Sequence, residues 1–381
     1  MKKKILMIMM EAGSGHKVPA IAIKEKIEKI NKETEIEIID VAKDVGCKEF
    51  DEFYKGLWKK VLARPLSFKL SYPLLKTDAG PMIESLITKK LKEKLESYIK
   101  KSDPDLIFCT HFTSARIVGE LKEEGIINIP SAVLVTDAIE PHRDWINKNN
   151  DYLIIYDAGD RKTFKDIGLN DKQIKEFNFP LRKEFTEKRH NKENLRKSLG
   201  LEKDIFTITF LSGGEGIGKL DRFIRPFMER DLKIQMVVIC GRNEEIRNKI
   251  ENIYKEEKKK GRVNNFILHA KGFVTNMQEF MEASDLMMGK SGISFTFESL
   301  IYNKPIIFTQ TLPNETAALR YFVEKETAWY EQTPRKAFRR VMYLLENMDV
   351  FRRYKQNIEQ LNIRNGSEDI ANFLYNMIKK E

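Results

Sequence analysis

A histidine at position 16 closes the glycine turn EAGSGH, residues 11–16, directly after the apolar run KKILMIMM and directly before the amphipathic segment KVPAIAIKEKIEKINK. A neutral imidazole in such a loop can take a proton near pH 7, so His16 is a candidate general base. The plainer alternative is a helix-start histidine that caps its own loop. Two further loops have the chemistry of phosphate binding. In LSGGEGIGK, residues 211–219, Gly213, Gly214 and Gly216 let the backbone approach a ligand closely, and a following helix would aim free N–H groups at an anion. The same glycines would equally suit a tight strand-to-helix turn. The loop is not a P-loop, because Leu220 and not Ser or Thr follows Lys219. In MMGKSGISFTFESL, Lys290, Ser291 and Gly292 again open a helix, and Glu298 lies where a carboxylate could accept hydrogen bonds from two ribose hydroxyls or stand as a solvated helix residue.

These loops need strands to carry them. Apolar runs recur as KKILMIMM, EIEIIDV, DLIFCT, SAVLVTD and YLIIYD, then as IFTITFLS, IQMVVIC, NFILHA, DLMMGK and KPIIFTQ. Amphipathic stretches at helical spacing separate them. Alternation of this kind implies parallel sheets covered on both faces. A polar stretch without a strand, residues 179–200, divides the two series, which predicts domains over 1–184 and 185–381, with the last helix able to pack back on the first domain. In open α/β sheets ligands gather at the carboxyl ends of strands, where EAGSGH, CTHFTSAR, VTDAIEPHRDW, SGGEGIGK and GKSGISFTFES all fall.

The chain has 381 residues, 41% apolar and 33% charged, and a formal net charge of +10. This suits two globular domains and anionic partners. No aromatic-basic motif of a known nucleic-acid module is present, so no nucleic-acid partner is expected. Cys47, Cys109 and Cys240 form no CxxC pair, which fits a reducing, cytoplasmic setting. No HExxH, paired cysteine or carboxylate cluster suggests a metal. No stretch approaches the apolar length that crosses a bilayer, so membrane contact is expected to be peripheral. The insertion at residues 53–83 mixes aromatics, leucines and lysines around two prolines. It reads as a helical cap on its own domain or as a surface for an apolar or membrane partner.

The run GFVTNMQEFMEASDLMMGKSGISFTFESLIYNKPIIF, residues 272–308, resembles the C-terminal signature of the monogalactosyl- and glucosyl-diacylglycerol synthases, relatives of the peptidoglycan GlcNAc transferase that makes lipid II. GSGHKVPAIAI, TDAIEPHRDW and FPLRKEF fall in that family's order and spacing, so the similarity spans nearly the whole chain. It implies a GT-B fold: two Rossmann-like, doubly wound domains facing across a cleft, with acceptor and membrane on the N-terminal side and a nucleotide-sugar donor on the C-terminal side. By match to the family, Gly213, Gly214 and Gly216 approach the diphosphate, Phe273 and Val274 flank the uracil, and Glu298 holds the ribose. Asn314 and Glu315 fall where the family uses a Gln-Glu pair on the sugar. Lys290, Ser291 and Gly292 complete the donor loop, with Lys290 and Arg182 as candidates to stabilise the leaving UDP. Gly15 and His16 would stand at the cleft, with His16 the base. His142 beside Trp145 would line the acceptor site or serve as base, Asp137 would orient the base or contact the acceptor, and His111 would be a cleft residue. The sequence departs from the pattern where Ser291-Gly292-Ile293 replaces a turn richer in glycine or proline, and where Ala318 stands in place of an asparagine.

The activity implied is an inverting, metal-independent transfer of a hexose from a UDP-sugar to a lipid such as diacylglycerol, on the inner face of an anionic cell membrane. The UDP-sugar would be substrate, with no separate cofactor. The alternatives are a GT-B enzyme with a soluble acceptor, a UDP-GlcNAc 2-epimerase-like enzyme, or a non-catalytic nucleotide-sugar sensor.

Overall fold

The apolar runs become parallel strands because both of their faces are covered. In the computed structural model, which describes residues 2–11, 15–52, 54, 56, 79–141, 143–156, 161–166, 168–186, 189–211 and 220–379, the chain divides into two compact units, Met1–Arg182 with Arg364–Glu381, and Lys183–Ile363.

The first unit alternates β1 (Lys4–Met9), α1 (Lys17–Ile30), β2 (Glu35–Asp40), α2 (Ala79–Ser102), β3 (Leu106–Cys109), α3 (Phe112–Glu123), β4 (Ser131–Leu134), β5 (Tyr152–Ile155), α4 (Arg161–Asp166) and β6 (Ile174–Glu176). Its six strands run parallel in the order β2-β1-β3-β4-β5-β6. Successive side chains of a strand point to opposite faces, and here each set of alternate residues has its own core. Leu6 and Ile8 pack with Ile107, Val133 and Leu153 beneath α2 and α3. Ile5 and Met7 pack with Leu106, Ala132 and Ile154 against Ile23 and Ile27 of α1. Pro19 lies in the first turn of α1, where its missing N–H has no intrahelical partner to lose.

The second unit contains α5 (Lys192–Ser198), β7 (Thr207–Leu211), α6 (Leu220–Glu229), β8 (Gln235–Ile239), α7 (Glu244–Lys259), β9 (Ile267–Lys271), α8 (Met277–Ala283), β10 (Leu286–Lys290), α9 (Ile293–Leu300), β11 (Ile306–Gln310), α10 (Thr316–Glu324), β12 (Ala328–Tyr330), α11 (Pro334–Glu346) and α12 (Met348–Gln360). The strand order is β12-β11-β10-β7-β8-β9, again all parallel. Phe210, Val238, Met288 and Ile307 meet α6, α11 and α12 on one face. Val237 and Ile239 meet Leu195 of α5 and Phe280 of α8 on the other.

The last helix, α13 (Ser367–Lys379), returns to the first unit and packs Ile370, Ala371, Leu374 and Ile378 onto the Ile5/Met7 face. The return is clamped by Asn365, whose side-chain amide bonds both the N–H and the carbonyl of Leu181 at 2.8 Å. Gly366 follows because a Cβ there would lie 1.7 Å from the carbonyl oxygen of Asn178. All ten predicted apolar runs are strands. The two strands that the pattern does not announce, β6 and β12, are three residues long and lie at sheet edges, too short to show a period. Among the described residues no helix is long and apolar enough to cross a membrane.

Candidate functional site

Each sheet reverses its strand order once, between β1 and β3 in the first unit and between β7 and β10 in the second. At such switch points the loops diverge and leave a crevice beyond the strand ends. The loop after β1 delivers His16, and the loop after β10 delivers Lys290, Ser291 and Gly292.

Three strand ends converge on His16. Its Nδ1 stands 2.9 Å from the carbonyl oxygen of Thr110, just beyond β3, and 2.8 Å from the hydroxyl of Thr136, just beyond β4. Thr110 in turn donates its hydroxyl to the backbone oxygen of His16 at 2.9 Å. A carbonyl can only accept, so Nδ1 carries the proton and Nε2 of the neutral ring keeps its lone pair. Thr110 and Thr136 are buried, which holds the imidazole plane firmly. Gly15, immediately before it, has nothing within 4 Å of the place a Cβ would occupy.

His111, expected at the cleft, is instead fully buried and caps α3: its Nδ1 accepts from the N–H of Thr113 at 3.2 Å. With Nδ1 accepting, Nε2 bears the proton and faces the hydroxyl of Tyr54 at 3.3 Å. The His111 ring meets the His16 ring edge-on, with centroids 4.6 Å apart. Trp145, expected beside the acceptor, is likewise fully buried, because the 3-10 turn Arg143–Trp145 tucks the indole into the core shared by α3. Its Nε1–H donates to Asp137 at 2.8 Å, so the tryptophan anchors that carboxylate from below. Asp137 itself is half-buried, and Arg182 is the half-buried last residue of its chain segment in the first unit. His142 lies outside the described residues, as does most of the 53–83 insertion.

In the second unit the candidates after β10 form one network. The Nζ of Lys290 pairs with Glu315 at 2.7 Å, and both side chains are largely buried. The other Glu315 oxygen accepts from the Ser291 hydroxyl at 3.1 Å and the N–H of Leu312 at 3.2 Å, while Ser291 lies 2.7 Å from the Thr311 hydroxyl. Asn314 stands beside Glu315 in the 3-10 turn Pro313–Glu315. The β10 ladder shifts register between Gly289 and Lys290, which turns the chain out of the sheet. A Cβ at Gly289 would meet both the Leu211 carbonyl and the Phe295 ring at 3.0 Å. Gly292 is the N-cap of α9 and brings no side chain to its first-turn N–H groups. Glu298, one of the alternatives for which was a solvated position, is buried at 8% exposure. Burial first, with the charges of Glu282, Glu298 and Glu279, pushes the phenol of Tyr302 up, against the opposing charge of Arg189. Phe273 is 56% exposed with the Arg242 guanidinium 4.8 Å from its ring centre, and Val274 packs into the core beneath. Gly213, Gly214 and Gly216 lie outside the described residues, and among the described residues no group of His, Cys, Asp and Glu side chains could hold a metal ion.

Sequence reasoning passes over Thr110, Thr136 and Arg242. The threonines end the runs DLIFCT and SAVLVT at the switch point, and that position is the signal that could have found them.

Residues 16–181 match the family described as monogalactosyldiacylglycerol synthase, and residues 207–321 match the glycosyltransferase family 28 C-terminal domain. A soybean protein named as a probable chloroplastic monogalactosyldiacylglycerol synthase is 26% identical over 351 residues, covering 87% of this chain and 63% of its own, so the chain spans less than two thirds of that relative. Among solved structures, MurG of Acinetobacter baumannii superposes with a TM-score of 0.66 at 12% identity, covering 99% of this chain and all of that one. Anabaena HepE in complex with UDP-glucose gives a TM-score of 0.54 at 12% identity, over 99% and 100% of the two chains.

Two Rossmann-like domains in this order, each with its candidate loops at a switch point, make the GT-B fold. Within that fold the chain is similar to the monogalactosyldiacylglycerol synthase family over its first unit and to the glycosyltransferase family 28 C-terminal domain over its second.

Proposed function

We propose that this protein transfers a hexose from a UDP-sugar to the free hydroxyl of diacylglycerol, with inversion at the anomeric carbon, while bound peripherally to the cytoplasmic face of an anionic membrane. The observation that carries the reading is the fixed tautomer of His16. With Nδ1–H held by the Thr110 carbonyl, Nε2 is the nitrogen whose lone pair can take a proton. The acceptor oxygen attacks the anomeric carbon as the bond to the diphosphate oxygen breaks. The acceptor proton passes to Nε2, and UDP leaves with the bonding electron pair.

On the donor side, Glu298 receives the ribose hydroxyls, the exposed Phe273 face and Val274 flank the uracil, and the N-terminal mouth of α9 faces the diphosphate. Asn314 and Glu315 address the sugar. The names of the matched family and of the soybean relative support a diacylglycerol acceptor, and the UDP-glucose held by HepE supports the donor. In this reading the aromatic, basic insertion at 53–83 meets the bilayer, where each basic residue near an anionic surface contributes about 1 kcal/mol.

The test is UDP release from UDP-glucose, UDP-galactose and UDP-GlcNAc, with and without diacylglycerol in anionic vesicles. Release that requires diacylglycerol and weakens with salt is expected. Turnover without any lipid would favour the soluble-acceptor or epimerase reading, and UDP binding without turnover on any acceptor would favour a sensor.

A further inference from the structure

Three hydroxyl side chains lie along α9, and two of them do what hydroxyls in helices ordinarily do. Thr296 donates to the carbonyl of Gly292 at 2.9 Å, and Ser299 donates to that of Phe295 at 2.7 Å. Ser294 does not. It is buried at 7% exposure, and its Oγ has no hydrogen-bond partner among the described residues. A buried hydroxyl without a partner is destabilising, so a native structure that keeps one calls for an explanation.

The position supplies one. Ser294 is the second residue of α9, and helical side chains tilt toward the N-terminus, which directs this hydroxyl at the mouth of the helix. Gly292 at the N-cap offers no side chain to the first-turn N–H groups, so the mouth presents donors and the positive end of the helix dipole. The carboxylate bordering Gly292, Glu315, is neutralised by Lys290. A buried O–H donor beside first-turn N–H groups that no N-cap side chain takes, with the nearby negative charge compensated, has the chemistry to receive an anion.

We infer that Ser294 is a phosphate-binding residue: its hydroxyl donates to a diphosphate oxygen of the nucleotide, alongside the first N–H groups of α9. This rests on the UDP-sugar reading and adds to it a side-chain donor in the turn where this sequence departs from its family's glycine- or proline-rich pattern. A diphosphate oxygen gives the Ser294 hydroxyl the acceptor that no described residue supplies.

Two measurements on wild type and Ser294→Ala separate the outcomes. By calorimetry, Kd for UDP should rise about ten- to a hundredfold in the variant, as expected for loss of a hydrogen bond to a charged group. By thermal unfolding without nucleotide, the variant should melt at or above the wild-type temperature, because no satisfied bond is removed, while its UDP-induced upward shift should be smaller. Equal UDP affinity in the two proteins would overturn the assignment, as would a fall in the apo melting temperature, which would mean that Ser294 already has a structural partner. If wild type itself does not bind UDP, the donor reading fails first. A variant that still binds inorganic phosphate and UDP as wild type does, with Glu298→Ala weakened, would leave the donor reading intact and Ser294 outside it.

Discussion

The Nδ1 of His16 and the carbonyl oxygen of Thr110 lie 2.9 Å apart, and because the carbonyl can only accept, that contact decides which imidazole nitrogen is basic. His16→Ala should therefore lower turnover by about 10² to 10⁴ while UDP affinity stays near wild type, since the nucleotide is assigned to the other unit. Stability should fall by only about 1 kcal/mol, because the half-buried side chain gives up hydrogen bonds and an edge-on ring contact with His111 but no place in an apolar cluster. Steady-state kinetics with calorimetric UDP titration checks both. Retained turnover would move the base to His142 or Asp137, and lost UDP affinity with intact turnover would make this a donor loop.

Glu298 is buried in α9 and assigned to the ribose. Glu298→Ala should weaken UDP by about ten- to a hundredfold, corresponding to roughly 1.5 to 3 kcal/mol for a charge-assisted bond. Unchanged affinity in a UDP titration would remove the residue from the donor site.

Lys290 and Glu315 should behave as a coupled pair. Lys290→Met leaves a partly buried carboxylate beside the mouth of α9, so UDP affinity should fall by about tenfold or more; Glu315→Gln added to it should restore part of the loss. Additive losses in the double-mutant cycle would show that the two side chains act on the nucleotide independently.

The second unit should lose stability in acid through Asp285. Burial alone would raise this carboxyl, but Lys192, the N–H of Thr207 and Arg196 outweigh it and hold it below its ordinary value of 3.8. A depressed carboxyl binds its proton more weakly in the folded than in the unfolded chain. Its contribution is therefore complete above pH 3.8 and is lost as the pH falls below that, through the folded value. Asp285→Asn should cost about 3 kcal/mol at neutral pH, because Arg196 is left buried without its partner. The variant should also show a flatter decline in acid than wild type, measured by denaturant midpoints against pH.

Much of this architecture is written in the sequence, because a parallel strand covered on both faces must be apolar throughout. Residues Ile5 to Ile8 are fully buried for that reason. Glycine loops and polar residues at strand ends likewise mark where the site gathers. Other features leave no residue-type signal. Thr110 fixes the His16 tautomer through a backbone carbonyl that any residue would supply, so its residue type does not announce that role. His111 and Trp145 have the composition of a ligand-facing pair, yet tertiary packing turns the first into a helix cap and the second into the buried anchor of Asp137. The isolation of the Ser294 hydroxyl depends on which carbonyls come within reach, which is a matter of three-dimensional arrangement.

The return of α13 to the first unit has a consequence for how the protein comes into being. A ribosome makes all of residues 183–363, the second unit, before it makes residues 367–379, which cover the Ile5/Met7 face of the first sheet. The unit that begins the chain is thus the last to be completed. Until then the nascent polypeptide carries an apolar sheet face half clothed by α1, the kind of surface that attracts chaperones during synthesis. Removal of α13 would leave the second unit's own core whole and strip its cover from the first.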